Sequence, residues 1–119
     1  MAAPNLRAPA TVTGKTVPYA VTGTLASVLN NAAASGKLLK VNTVRCANID
    51  GAVAASLDVT LYRSSTHTYL IKGVAIDAGK ALIVSDKNEY IYLEEGDALY
   101  AKASAVGDLE LTLNYEEIS

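Results

Sequence analysis

Residues 109–118 read Leu-Glu-Leu-Thr-Leu-Asn-Tyr-Glu-Glu-Ile. Leu109, Leu111, Leu113 and Tyr115 share one phase, and Glu110, Thr112, Asn114 and Glu116 share the other. A period of two belongs to a half-buried strand, because successive side chains leave the backbone on opposite sides. Just upstream, Glu89-Tyr-Ile-Tyr-Leu93 and Ala98-Leu-Tyr-Ala-Lys-Ala-Ser104 are also strand-like. The connectors Glu94-Glu95-Gly96-Asp97 and Ala105-Val106-Gly107-Asp108 each close on a Gly-Asp pair. The last quarter of the chain is therefore a β-meander with one apolar face, and the remainder must cover that face.

Ser56–Arg63 repeats the pattern, with Leu57, Val59 and Leu61 predicted inward and Asp58, Thr60 and Tyr62 outward. Lys37–Ile49 predicts a long strand whose phase slips: Leu39 and Val41 share a face that Val44 and Cys46 do not, which points to a bulge near Asn42 or Thr43 or to burial on both faces. Lys15–Val21 alternates too, and Pro18 within it marks a strand at an edge or one that starts at a bulge, since proline cannot donate to a ladder. Residues 25–36 are expected to form a loop with at most one helical turn, from Leu25, Val28 and Leu29 at i, i+3, i+4. Asp50-Gly51 is a turn, 63–68 a polar hairpin tip, Tyr69–Ile76 the return strand, Asp77–Lys80 a turn and Ala81–Ser85 a further strand. The expectation is a single all-β domain over residues 15–119: an antiparallel, jelly-roll-like β-sandwich of about eight strands. Residues 1–14, with Pro4 and Pro9, are expected to form an extended N-terminal arm.

Composition narrows the function classes. A net charge of −2 gives no nucleic-acid footprint, and no apolar run reaches membrane-spanning length. The charge is uneven: residues 1–72 sum to +5 and residues 73–119 to −7, an asymmetry that either complements itself between copies or cancels once the two halves interleave in a sandwich. One cysteine, Cys46, allows no internal disulfide and reads as a small buried hydrophobe. No secretory signal pattern opens the sequence, so the expected site of synthesis is the cytosol. His67 is the single histidine; one histidine on a hairpin tip lacks the third group that orients a catalytic base, and one His with one Cys is short of a zinc set. The acidic connector 94–97 reads as a tight turn in which Gly96 takes positive φ and Asp97 accepts backbone N–H groups. The expectation is a non-enzyme with no cofactor or metal. Tyrosine replaces every other aromatic (seven Tyr, no Phe, no Trp), and Tyr62, Tyr90, Tyr92 and Tyr100 lie on outward phases, where an amphipathic ring suits contact with a partner.

Several segments resemble small structural proteins of tailed bacteriophages, particularly those of phages infecting cyanobacteria and other aquatic bacteria. They are Lys37-Leu-Leu-Lys-Val-Asn-Thr-Val-Arg-Cys-Ala-Asn-Ile-Asp-Gly51, Asp58-Val-Thr-Leu-Tyr62, Ile91-Tyr-Leu-Glu-Glu-Gly-Asp-Ala-Leu99 and Gly107-Asp-Leu-Glu-Leu-Thr-Leu-Asn-Tyr-Glu-Glu-Ile-Ser119. The resemblance implies a capsid decoration (cement) protein of the virion exterior, a homo-oligomer with a trimer favoured, whose partner is the major capsid protein. It also permits a neck, tail or fibre subunit that binds a receptor or carbohydrate. The residues expected at the partner contact are Pro4, Leu6, Arg7, Pro9 and Val12 of the arm, with Tyr62, Tyr90, Tyr92 and Tyr100.

Overall fold

The computed structural model describes residues 4–119. The alternating run at the C-terminus forms β9 (Leu109–Ile118), with Leu109, Leu111, Leu113 and Tyr115 buried. Its neighbours are β1 (Val12–Ala20) on one side and β3 (Leu38–Asn48) on the other, both antiparallel. The other edge of β3 pairs with two short strands in succession, β6 (Ala81–Ser85) and β7 (Ile91–Leu93). Between these two, Asp86 caps a single 3-10 turn, Lys87–Glu89, by accepting the Asn88 N–H. The second sheet runs β2 (Ala26–Asn30), β8 (Ala98–Ala103), β4 (Ala55–Arg63), β5 (Thr66–Ile76).

With β6 and β7 taken as one interrupted strand, the two sheets have the strand orders of a jelly roll. Apart from the β4–β5 hairpin within the second sheet, chain-consecutive strands alternate between the layers, and β9 ends between β1 and β3. Leu57, Val59, Leu99 and Ala101 from one sheet meet Val41, Val44, Leu111 and Leu113 from the other. The all-β sandwich read from the sequence is what forms, with nine strands in place of about eight.

The phase slip in β3 is a bulge: Val41 faces Tyr115 and Thr43 faces Asn114, leaving Asn42 as the extra residue, its amide donating to Glu116 Oε1 at 3.0 Å. Pro18 sits on the outer edge of its sheet, where its missing N–H costs no ladder bond.

Five expectations are corrected. The last quarter of the chain is not a meander: β7 and β9 both pair with β3 in the first sheet, while β8 lies in the second sheet between β2 and β4, so these three strands do not pair with one another. The segment expected as a loop, 25–36, contains β2, because a register shift between Ser27 and Leu29 puts an irregularity at Val28. Val28 and Leu29 therefore both turn toward the core, a spacing that in sequence mimics one helical turn. The arm is shorter than residues 1–14: Val12 begins β1 opposite Ile118, and Ala10 and Thr11 donate their N–H groups to the Ser119 carbonyl at 2.7 and 2.9 Å. The arm is not extended throughout either, since the Ala8 N–H returns to the Asn5 carbonyl in a turn. Finally, the polar tip at 63–68 is only Ser64-Ser65, both at positive φ (52° and 61°), because Arg63 already pairs with Thr66.

Two consecutive left-handed residues make a type I′ hairpin, a geometry that Asn-Gly adopts with less strain than two serines. Replacing Ser64→Asn together with Ser65→Gly is expected to stabilise the domain by about 1 kcal/mol, seen as a higher denaturant midpoint at unchanged m-value.

Candidate functional site

The residues expected to contact a partner fall in three separate places. Pro4, Leu6, Arg7 and Pro9 belong to the arm, which leaves the sandwich beside the C-terminus; Leu6 and Arg7 are exposed and Pro4 and Pro9 half-buried. Val12, expected in the arm, is an exposed residue of β1. Tyr90 and Tyr92 form an edge-to-face pair with ring centroids 5.3 Å apart at the β7 end of the first sheet. The Lys40 ammonium lies 4.4 Å from the Tyr90 centroid, and desolvation, followed by the nearby Tyr90, raises the Tyr92 phenol above its usual pKa. Tyr62 and Tyr100 are on the outer face of the second sheet. The four outward tyrosines thus serve two opposite layers and do not make one surface.

His67 completes the second cluster. It is the residue of β5 directly across from Tyr62, half-buried, with centroids 4.7 Å from Tyr62 and 4.8 Å from Tyr100. Its Nδ1 is 2.8 Å from the Thr60 hydroxyl. The exposed hairpin-tip histidine expected from sequence is therefore a packed strand residue. The three rings roof Thr60, which is fully buried despite its outward phase, so the hydroxyl that His67 touches cannot meet a substrate.

At the arm's end of the sandwich, the connector 94–97 forms the expected turn, with Gly96 at φ +89° and the Asp97 N–H bonded to the Glu94 carbonyl at 3.0 Å. Asp97 is buried and accepts the Glu94 N–H at 2.8 Å. It also takes a forked contact from Arg63, with Nε 3.0–3.1 Å from both carboxylate oxygens and Nη2 2.5 Å from Oδ2. That hydrogen-bonded pairing raises the Arg63 pKa further above its already high value. Glu94 shares the guanidinium at 2.8 Å.

Asn31, also buried, ties the neighbouring loop to this turn. Its amide donates to the carbonyls of Lys37 and Leu93, and its Oδ1 accepts the Ser35 hydroxyl. At the opposite end, Asn48 does similar work with the Val53 and Ile76 carbonyls. The chain is elongated, 48 × 26 × 20 Å, and the loops at that opposite end expose Ile49, Val53 and Val106 (55%, 58% and 76%). These three were not foreseen as contact residues. Each sits next to turn residues, where periodicity does not say which way a side chain points.

Glu117 links the first strand to the 31–37 loop through Lys15 at 3.0 Å and Lys37 at 2.9 Å. Lys37, then Lys15, hold its carboxyl below the usual range. A carboxylate with a depressed folded pKa stabilises above its unfolded pKa, near 4.3, and loses that contribution as pH falls through the folded value. All three groups are partly exposed, so the contribution is modest and salt-sensitive. The melting-temperature difference between the parent chain and Glu117→Gln is expected to shrink as pH falls from neutral to about 3, and to be smaller at high salt.

Cys46 is fully buried in β3, and burial pushes its thiol up to about 11. Among the described residues, no cluster of three His, Cys, Asp or Glu side chains is arranged to hold a metal ion. No helix of the described residues is long and apolar enough to cross a membrane.

Neither protein-family models nor curated proteins match this chain. Among solved structures, it is similar to a chain of the Bacillus endospore appendages, a family of disulfide-linked pili. The two superpose with a TM-score of 0.51 at 9% sequence identity, over 91% of this chain and 87% of the other. At that identity the likeness concerns the fold: two antiparallel sheets closed over one core.

Proposed function

We propose that this protein is a non-catalytic structural subunit of a tailed-phage virion, a decoration protein that binds the outer capsid surface and stabilises the shell. The observation that carries this reading is the distribution of apolar and aromatic side chains. Leu6 at one end and Ile49, Val53 and Val106 at the other stay exposed, while the buried charge, Asp97, is consumed in holding a turn. Exposed apolar groups at both ends of an elongated module suit a clamp that buries surface on neighbouring capsomers, and such burial shifts their equilibrium against separation. The segments that resemble small phage structural proteins support the virion setting.

The similarity to a pilus subunit agrees with an assembling jelly roll but not with the same covalent linkage. The single cysteine is sealed in the core and cannot join subunits while the chain is folded.

The test is co-sedimentation of the purified chain with expanded phage heads that lack it. Saturable binding in fixed ratio to the major capsid protein, with heads that then survive higher temperature, is the expected result. Absence of binding, together with binding to host cells or to a glycan array, would favour a receptor-binding tail appendage.

A further inference from the structure

The outer face of the β1-β9-β3-β6 sheet holds a groove of about 420 Å³ between β9 and the edge strand β6. Its apolar wall is Ala47 with Ile83, the latter 64% exposed on the edge strand. Glu110 and Asp86 supply carboxylates, and neither has a basic partner among the described residues. One Asp86 oxygen accepts the Asn88 N–H, and Arg45 shares the groove, leaving it one negative charge in excess.

The arm has the complementary chemistry. Leu6 is 46% exposed and lies next to Arg7, an exposed guanidinium with no carboxylate partner among the described residues. No other residue between 4 and 14 is charged. Prolines at 4 and 9 limit the freedom this segment loses on docking.

The arm cannot reach the Glu110 end of the groove on its own chain. Ala10 is pinned to Ser119, and Arg7 is three positions away, about 10 Å at full extension. Glu110 lies nine positions back along β9 from Ser119, about 30 Å. The Arg7 side chain does not close that gap.

We infer that the N-terminal arm of one copy docks in the sheet groove of a second copy, with Leu6 against Ile83 and Ala47 and Arg7 against Glu110. Donor and acceptor surfaces differ, so the contact is head-to-tail and closes into a ring when the rotation permits. This inference goes beyond the decoration reading and does not need the virion.

The test uses the purified chain alone, by sedimentation across concentration. Concentration-dependent assembly is expected for the full chain and none for a chain lacking residues 2–9, whose circular dichroism and melting are unchanged. Arg7→Glu and Glu110→Arg are each expected to weaken association about tenfold, and the two together to restore it. Leu6→Cys mixed with Ile83→Cys is expected to give a disulfide between chains. A full chain that stays monomeric, oligomers that survive the deletion, or a charge exchange without recovery would overturn the proposal. Failure to bind phage heads would leave it standing, and failure here would leave the head-binding result standing.

Discussion

Asp97→Ala is expected to destabilise the domain by about 2–3 kcal/mol, lowering the melting temperature by roughly 10 °C. Two losses add. The Glu94 N–H loses the buried carboxylate that accepts it, and the Arg63 fork loses the carboxylate that fixes the end of the β4–β5 hairpin. Removing one partner of a fully buried pair costs more than this. Arg63 is 45% exposed, however, so it keeps water and Glu94 as partners. Asp97→Asn, which retains the shape and one acceptor, is expected to cost about half as much. A melting temperature unchanged in Asp97→Ala would show that the turn holds without the ion pair.

Removal of residues 2–9 is expected to abolish detectable capsid decoration while leaving the sandwich folded. The cut stops at Pro9 because Ala10 and Thr11 already hydrogen-bond to Ser119, and β1 begins at Val12. A longer deletion would strip an edge strand from β9 and confound folding with binding. If the arm links copies, its loss converts a multivalent clamp into single weak contacts, and effective concentration alone then accounts for a drop of about 100-fold or more. Co-sedimentation with heads, with circular dichroism as the folding control, reads both effects. Decoration by the truncated chain equal to that of the full chain would remove the arm from the account.

The strands were legible where a single face is buried and the register is regular. β9 from Leu109 to Tyr115 and β4 from Ala55 to Val59 follow a period of two, and even the Asn42 bulge shows as a phase slip in β3. β2 was hidden because its own bulge puts Val28 and Leu29 on the same side, at a spacing that one helical turn would share. The Arg63–Asp97 fork was hidden for a different reason. The two residues are 34 positions apart, and only the topology that brings the β4–β5 hairpin over the β7–β8 turn makes them neighbours. The outward phase of the four tyrosines could be read from the sequence, but not which sheet each belongs to; that assignment splits them into two clusters and turns His67 from a tip residue into part of a packed trio. Exposure at Ile49, Val53 and Val106 is set by loop geometry, to which hydrophobic periodicity is blind.

The most direct measurement is the amount of this protein in purified virions, by quantitative mass spectrometry against the major capsid protein. A capsid clamp must be present in a fixed ratio set by the capsomer lattice, and heads stripped of it must take it up again to that same ratio. Absence from the virion, or a copy number matching a tail or neck ring instead of the shell, would contradict the account.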